Sequence, residues 1–344
     1  MRIIIVSVLI LTGLFAFQNR MRTPEEVLPQ DNRNVYDVLQ SLGDSAANHT
    51  FRPEVKYASA VKGEEIFFTG NTTGPNGTKT KIQSKLFKCW ACHNTVIEEP
   101  DLTKYDPEAR LRYAKEKHLP FLQGTTVYGI VNRKTFYNND YYKKYGHELA
   151  DKAHRNLREA IQLCAIGCSQ GRPLEDWEIE SVLAYFWTLQ YKMSDLSLTP
   201  KEKEMVDEAL RTGVDKQQAI DLLHSKYADH SPAHFLLPPA DRKAGFGLQG
   251  RPEVGKDVYE LSCLHCHKNG RFAYYYLDTD GYSLRHLRYH FPRFTPYSSY
   301  QVICWGTAPL PGKKFYMPQY TTERMNPQLI EDLRAYVESP KMAK

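Results

Sequence analysis

The sequence has little net charge, few cysteines and few long hydrophobic runs. Its 344 residues carry 45 Lys and Arg against 40 Asp and Glu, a formal excess of five positive charges. That excess is too small to indicate a nucleic acid or another polyanion as the partner. Beyond the N-terminal region, no run is long and apolar enough to span a membrane. The seven cysteines are an odd number, so at least one thiol is free or has another role.

The one long apolar run lies at the N-terminus, at residues 3–17, and Arg2 precedes it. Its length is typical of a signal peptide and falls short of the ~20 residues that cross a bilayer. Since no small-x-small cleavage site follows, an uncleaved anchor is the alternative. We therefore expect export, with residues 1–22 as a signal peptide or N-terminal anchor and the polar residues 23–53 as a tether. Folded structure is expected to begin near Val55.

Four cysteines lie in two copies of one motif, Cys89-Trp90-Ala91-Cys92-His93 and Cys263-Leu264-His265-Cys266-His267. In Cys-x-x-Cys-His, the two thiols can form thioethers with a haem, and the adjacent imidazole supplies an iron ligand. A thioredoxin-type dithiol or half of a zinc site can also begin Cys-x-x-Cys, but neither accounts for a histidine after both pairs. The motifs predict two haem c groups, attached through Cys89, Cys92, Cys263 and Cys266, with His93 and His267 as iron ligands.

The chain resembles di-haem c-type cytochromes, and each half resembles the small, all-helical class I cytochrome c domain. Residues 63–67 (Gly-Glu-Glu-Ile-Phe) and 255–259 (Gly-Lys-Asp-Val-Tyr) share a pattern that class I cytochromes carry on the helix leading into the haem-binding turn. Apolar residues at helical spacing predict a closing amphipathic helix at residues 174–190 and another at 327–338. The resemblance implies an all-α fold in which each closing helix packs across the first helix of its domain.

These features predict two tandem cytochrome c domains, residues 54–193 and 251–344, joined by a helical, Pro-rich linker at 194–250. In the linker, Thr199 as cap, Pro200 at the first position and Glu202 three residues after the cap predict a helix start. The first domain has a long insertion at 105–156. We expect it to cover the first haem or to form a docking surface. If it covers that haem, its cations could hold a sulfur oxyanion near the iron. Its aromatic and basic residues are Tyr137, Tyr141, Tyr142 and Tyr145 with Arg133, Lys134, Lys143 and Lys144.

Met317, followed by Pro318, stands just before the second closing helix. Class I cytochromes place there the methionine whose thioether binds iron opposite the histidine, so the resemblance implies a His267/Met317 haem. His286 and His290, four residues apart on a helical segment, are the reserve candidates. A Met-Pro pair on a loop can also serve packing alone.

The first half has no methionine at the corresponding place. Cys164 aligns with Cys304 of the second half, which leaves Cys168 in the loop where the methionine belongs, and we predict Cys168 as the sixth ligand of a low-potential haem one. Electrons would then pass from haem one to haem two. A Cys164–Cys168 disulfide and buried, inert cysteines are alternatives. Other ligand candidates are His118, His147, His154 and Met193.

A Cys-ligated first haem and a Met-ligated second haem are similar to the arrangement in thiosulfate dehydrogenases and related sulfur-oxidising di-haem cytochromes. Residues 171–174 (Gly-Arg-Pro-Leu) resemble the Gly-Lys/Arg-x-Leu phrase that follows the ligand cysteine in that family. Only two residues separate Cys168 from this phrase, however, whereas the family has more. The insertion at 105–156 has no match in the family.

Three functions follow as hypotheses. We favour an exported electron carrier between redox partner proteins. It would act in the periplasm or at the outer face of the cytoplasmic membrane, where it could belong to a membrane-associated complex. The second is an enzyme that oxidises a sulfur compound at haem one, with Cys168 as its catalytic residue. The third is a di-haem peroxidase, since residues 63–68 resemble that family's Gly-x-x-Leu-Phe-Phe phrase. It comes last because the family's Asn-Ala-Pro segment is absent and no suitable His and Glu pair is evident.

Overall fold

The computed structural model describes residues 31–45, 47–231, 233–307 and 316–339. The predicted signal peptide or anchor lies outside the described residues. Within them the chain is helical, with three isolated β-bridges and no β-strand, which confirms the all-α class. No helix of the described part is long and apolar enough to cross a membrane.

The fourteen α-helices of the described part follow one another in chain order. They are Val35–Leu42 (α1), Ala60–Thr69 (α2), Pro107–Glu116 (α3), Tyr142–Tyr145 (α4), His147–His154 (α5), Leu157–Leu163 (α6), Asp176–Thr188 (α7), Pro200–Thr212 (α8), Lys216–His224 (α9), Pro252–Val258 (α10), Leu264–His267 (α11), Gly281–His290 (α12), Ser299–Trp305 (α13) and Pro327–Glu338 (α14). Two π-helical segments, Cys164–Cys168 and Tyr259–Cys263, each continue the preceding helix. The first Cys-x-x-Cys-His motif begins with a short 3₁₀ helix, Cys89–Ala91.

Local sequence explains where several of these helices begin. Thr199 caps α8 by accepting from the Glu202 amide, while the Glu202 carboxylate accepts from the Thr199 amide at 2.8 Å, as the capping box predicts. The Asn326 side chain caps α14 in the same manner, accepting from the Leu329 amide at 2.9 Å. Both closing helices are confirmed. The first, α7, is two residues shorter at each end than predicted.

Each half is built on one crossed pair of helices, α2 with α7 and α10 with α14. Gly63 of α2 lies against the backbone carbonyl of Ser181, and Gly255 of α10 lies against that of Asp332, in positions where a Cβ would collide with the carbonyl. The absence of a side chain therefore lets the two helices approach backbone to backbone. This confirms that each closing helix packs across the first helix of its half.

A third hydrophobic cluster joins α1 to α8 and α9. Val35, Val38, Leu39 and Leu42 of α1 are all buried in it. The expectation that folded structure begins near Val55 is therefore wrong. Four apolar residues at helical spacing are a weak signal in an eight-residue helix, and their partners in α8 and α9 lie more than 160 residues further along the chain. The segment predicted as a linker, residues 194–250, supplies those partners from α8 and α9.

Residues Asn32 to Lys344 belong to one compact unit, in which the two halves share buried contacts. Leu111 and Ala114 of α3, with Phe121 after it, lie in the hydrophobic core of the second half. The Phe121 amide donates to the Leu261 carbonyl at 2.9 Å. Part of the predicted insertion of the first half is thus built into the core of the second.

Candidate haem sites

The first Cys-x-x-Cys-His motif opens onto a cavity of about 160 Å³ that is lined mainly by the first half and also by residues 318–324 of the second. Cys89, Cys92 and His93 line the cavity, and Cys164 and Cys168 of the π-helical segment line it as well. The predicted insertion contributes further lining residues, namely Arg133, Tyr137, Tyr141 and Tyr145. The insertion therefore forms part of the wall of this cavity, and its covering of a haem stays a prediction. Of the other members of the predicted set, Tyr142 stacks on His147, and Lys134 and Lys143 pair with Asp229 and Asp140. Lys144 donates to the Trp305 carbonyl and to the Gln319 side chain.

His93 is held in one orientation by a backbone carbonyl. Its Nδ1 lies 2.7 Å from the Thr125 oxygen, and burial lowers the pKa of the imidazole. A neutral imidazole whose Nδ1–H donates to a carbonyl keeps the Nε2 lone pair free for a metal. His93 is therefore arranged as an iron ligand should be.

The sulfur that faces His93 is that of Cys164. Cys164 Sγ lies 3.9 Å from His93 Nε2. Zinc in proteins lies about 2.0 Å from nitrogen ligands and about 2.3 Å from sulfur ligands, so one metal ion could reach both atoms across this separation. His93 and Cys164 could therefore hold one metal ion together, and the geometry favours Cys164 over the predicted Cys168.

Cys168 lies beside Cys164 in a different environment. Its sulfur is 3.6 Å from the Tyr145 hydroxyl and 3.8 Å from the Tyr137 hydroxyl. The hydrogen bond from the Cys164 thiol, aided by both hydroxyls and by the charge of Lys144, outweighs burial and lowers the pKa of Cys168 to about 7. The same bond raises the pKa of the donor, Cys164. All seven cysteines are free of disulfides.

Two arginines bring unpaired hydrogen-bond donors to the cavity. Arg133 and Arg324 line it, are only 5% and 2% exposed, and each has an Nε without a partner among the described residues. Buried, unpaired donors of this kind are costly unless a ligand satisfies them. A haem carries two propionates, and guanidinium groups pair well with carboxylates. These residues therefore suit a carboxylate-bearing group in the cavity.

A buried ionic cluster supports the segment that orients His93. Arg324, from the second half, donates to the Glu98 carboxylate at 2.7 Å and to the Gly124 carbonyl at 2.8 Å. Glu98 also accepts from the Thr126 amide at 2.8 Å, so both sides of Thr125 are held. Burial disfavours the Glu98 carboxylate, but the charges of Arg324 and Arg110 outweigh it and lower its pKa to about 2. Sequence reasoning missed this cluster because 226 residues separate Glu98 from Arg324.

The second motif repeats the orientation found in the first. His267 Nδ1 lies 2.7 Å from the Tyr275 carbonyl oxygen, and burial lowers the pKa of the ring. Cys263 ends the π-helical segment and Cys266 is buried in α11. The His267 lone pair at Nε2 is thus free for a metal as well.

Met317 packs against the hydrophobic core that contains this second motif. Its amide donates to the Thr307 hydroxyl at 2.7 Å, and its carbonyl accepts from the Thr307 amide at 2.9 Å. The next residues, Pro318 and Gln319, line the cavity of the first site. One short segment of the chain therefore packs against the core of the second half and also lines the cavity of the first site.

The remaining ligand candidates lie in other surroundings. On α12, the rings of His286 and His290 are 4.4 Å apart, and His286 is 5.2 Å from the Tyr275 ring. Cys304 is buried in the core of the second half. The described residues that line the first cavity include none of the other candidates for its sixth ligand, which are His118, His147, His154 and Met193. Met193 instead is buried with α1 in the third cluster.

The two motifs contact each other. Cys92 and Cys266 belong to one small hydrophobic cluster, and the Trp90 ring meets the Phe272 ring edge to face at 5.2 Å. The Arg271 guanidinium lies 4.8 Å from the Trp90 ring centre. An open cleft of about 640 Å³ adjoins this contact, with Trp90 and His265 among its lining residues. Groups attached at the two motifs would therefore be neighbours.

In comparisons with known proteins, the chain matches no family model, no curated protein and no solved structure. Within its described part, no group of three or more His, Cys, Asp or Glu side chains is arranged to hold a metal ion. A haem iron takes only two protein ligands, so this finding does not bear on the haem sites.

Proposed function

We propose that this protein is an exported di-haem c-type cytochrome that transfers electrons between redox partner proteins. The proposal includes two tandem class I cytochrome c domains, residues 54–193 and 251–344, with residues 194–250 as the connection. One observation carries it: both motif histidines have Nδ1 fixed 2.7 Å from a backbone carbonyl, His93 on Thr125 and His267 on Tyr275. The same device in two copies of one haem-attachment motif supports the same role for both.

The first site would hold its haem through Cys89 and Cys92, and His93 and Cys164 would supply the iron ligands. When bound, haem iron supplies a one-electron Fe(III)/Fe(II) couple. Arg133 and Arg324 are the residues suited to the propionates. The second site would use Cys263 and Cys266 for attachment, with His267 and Met317 as ligands.

The difference between the two sulfur donors would set the relative potentials of the two sites. A thiolate is anionic and stabilises ferric iron more than a thioether does, so a haem held by Cys164 would have a lower potential than one held by Met317. Electrons would accordingly pass from the first site to the second. The contact of Trp90 with Phe272 between the motifs supports a short path for this transfer.

The test is the haem content of the protein expressed with a cytochrome c maturation system. The alkaline pyridine spectrum and the intact mass should report two covalent haems per chain. The double variant Cys89→Ser/Cys92→Ser should keep only the second, and Cys263→Ser/Cys266→Ser only the first. A colourless chain with the mass of the bare polypeptide would disprove the proposal.

A second candidate function is oxidation of a small sulfur oxyanion or thiol at the first site. It is favoured by Cys168, whose sulfur faces two tyrosine hydroxyls inside the cavity. Lys144 adds a cation nearby, and burial lowers the pKa of its amine to about 8. If this function holds, thiosulfate should reduce the haems of the wild-type protein. Cys168→Ser should then stop reduction without loss of haem, whereas Cys304→Ser, at a buried cysteine of the other half, should not.

A further inference from the structure

Helix α12 has one buried face and one exposed face. Leu284 is 1% exposed and packs with Leu287 into the core of the second half. Tyr282 and Tyr289, seven residues apart and therefore on one face of the helix, are 68% and 55% exposed. Arg285 lies between them on that face and is also exposed. The helix thus presents two large aromatic rings and a cation to solvent.

The exposed rings are stacked with arginines. The Arg293 guanidinium lies 3.4 Å from the centre of the Tyr289 ring, and that of Arg285 lies 5.7 Å from the Tyr282 ring. Within the described residues, no ion pair involves either arginine. Stacking holds the guanidinium planes in place while leaving their charge available to a partner. We call Tyr282, Arg285, Tyr289 and Arg293 the α12 surface.

The chain segment that carries the α12 surface has an excess of basic residues. Residues 268–297 contain five Lys and Arg but only two acids, Asp278 and Asp280. Both acids are engaged at the start of α12, where Asp280 accepts from the Ser283 amide at 2.8 Å and Asp278 from the Ser283 hydroxyl at 3.0 Å. Two further exposed rings, Phe294 (78%) and Tyr297 (68%), lie just beyond the helix. Exposed aromatic residues combined with arginine are typical of the central contacts of protein interfaces.

A series of ring contacts connects the α12 surface to the second motif. The rings of His267 and Tyr275 are 6.0 Å apart, and those of Tyr275 and His286 are 5.2 Å apart. His286 contacts His290, which in turn lies against Tyr289 at 5.1 Å. The surface is therefore continuous with the residue assigned as iron ligand of the second site.

We propose that the α12 surface is the docking site for a redox partner protein that presents an acidic face. The proposal deepens the proposed function and rests on it, because it assigns the electron exchange of the second site to this side of the molecule. Charge complementarity selects the partner, since carboxylates would pair with Arg285 and Arg293 while the tyrosine rings supply apolar contact area.

The test uses the mature, haem-bearing protein and two probes, a small acidic c-type cytochrome and the basic mitochondrial cytochrome c. The probe is immobilised on a surface, and its dissociation constant for the protein is measured at several salt concentrations. The acidic probe should bind, and its affinity should fall as salt rises. The variant Arg285→Glu/Arg293→Glu should weaken binding by at least about tenfold, since the new carboxylates repel the acidic probe.

The matched control is Lys79→Glu/Lys201→Glu, which changes the net charge equally at two exposed cations outside residues 268–297. This control should change the affinity for the acidic probe less than twofold, which corresponds to a negligible change in binding free energy. A second variant, Tyr282→Ser/Tyr289→Ser, should also weaken binding while leaving the net charge unchanged. Equal losses in the Arg and Lys variants, or equal binding of the basic probe, would overturn the proposal. So would Arg-dependent binding to anionic lipid vesicles with no binding to the acidic protein.

Failure of this proposal can be told apart from failure of the proposed function. The pyridine spectrum of every variant reports haem content independently of binding. Absence of haem would refute the cytochrome assignment, whereas two haems without salt-dependent, Arg-dependent binding would refute the docking site alone.

Discussion

Gly63 lies against the backbone carbonyl of Ser181, and this contact sets how closely α2 and α7 cross. Gly255 and Asp332 repeat the relationship in the second half. Both halves thus use the same solution to bring their first and last helices together. The equivalence of the two crossings is the strongest structural parallel between the halves, and it connects the sequence pattern at 63–67 and 255–259 to a defined packing role.

Gly63→Ala should destabilise the protein, although alanine is the better helix former. The added methyl group would overlap the Ser181 carbonyl, and such overpacking costs roughly 1–3 kcal/mol. Urea unfolding of the haem-bearing protein measures the loss. Glu64→Ala, at the adjacent exposed position of the same helix, should stay within about 0.5 kcal/mol of wild type. Equal effects of the two substitutions would contradict a close crossing at Gly63.

Cys164→Ser should change the ligand set of the first site, while Cys168→Ser should leave it intact. The reason is the 3.9 Å separation of Cys164 Sγ from His93 Nε2. In the EPR spectrum of the oxidised protein, the low-spin signal of a thiolate-ligated haem should disappear only in the Cys164 variant. The reverse result would restore Cys168 as the ligand, and two ordinary His/Met or His/His haems in the wild type would remove the thiolate altogether.

Protonation of the Glu98 carboxylate should lower the stability of the protein in acid. The pKa of its carboxyl is about 2 in the folded state, below its ordinary 4.5, so its stabilising contribution is complete above pH 4.5 and is lost as the pH falls toward 2. The shift corresponds to a contribution on the order of 3 kcal/mol. Between pH 5 and 3 the free energy of unfolding should fall less steeply for Glu98→Gln than for wild type. Parallel curves for the two proteins would show that Glu98 is not the responsible group.

Arg324→Met should destabilise the fold by about 3–5 kcal/mol, because it leaves the buried Glu98 carboxylate without its nearest cation. It should also broaden the EPR signal of the first haem, since the Gly124 carbonyl next to Thr125 loses its donor. Arg211→Met, which breaks an exposed ion pair with Glu208, is the matched control and should cost less than about 1 kcal/mol. A loss of similar size in both variants would argue against a special role for the buried cluster.

The sequence alone determined the features that depend on short-range chemistry. Two Cys-x-x-Cys-His motifs, the capping box at Thr199 and the apolar spacing of the closing helices each involve only a few neighbouring residues. For that reason the start of α8 and the approximate extents of the two closing helices were predictable, whereas the all-α class and the packing of the helix pairs were implied by the resemblance to class I cytochrome c domains.

Only the tertiary structure decided what depends on residues far apart in the chain. The sequence favoured Cys168 as the sulfur donor because Cys164 aligns with Cys304, whereas in the folded chain the π-helical segment places the Cys164 sulfur 3.9 Å from His93 Nε2. The support of Thr125 by Arg324 and the burial of α1 against α8 and α9 likewise join segments more than 150 residues apart. No local pattern encodes such contacts, because their free energy arises only when the whole chain brings the partners together.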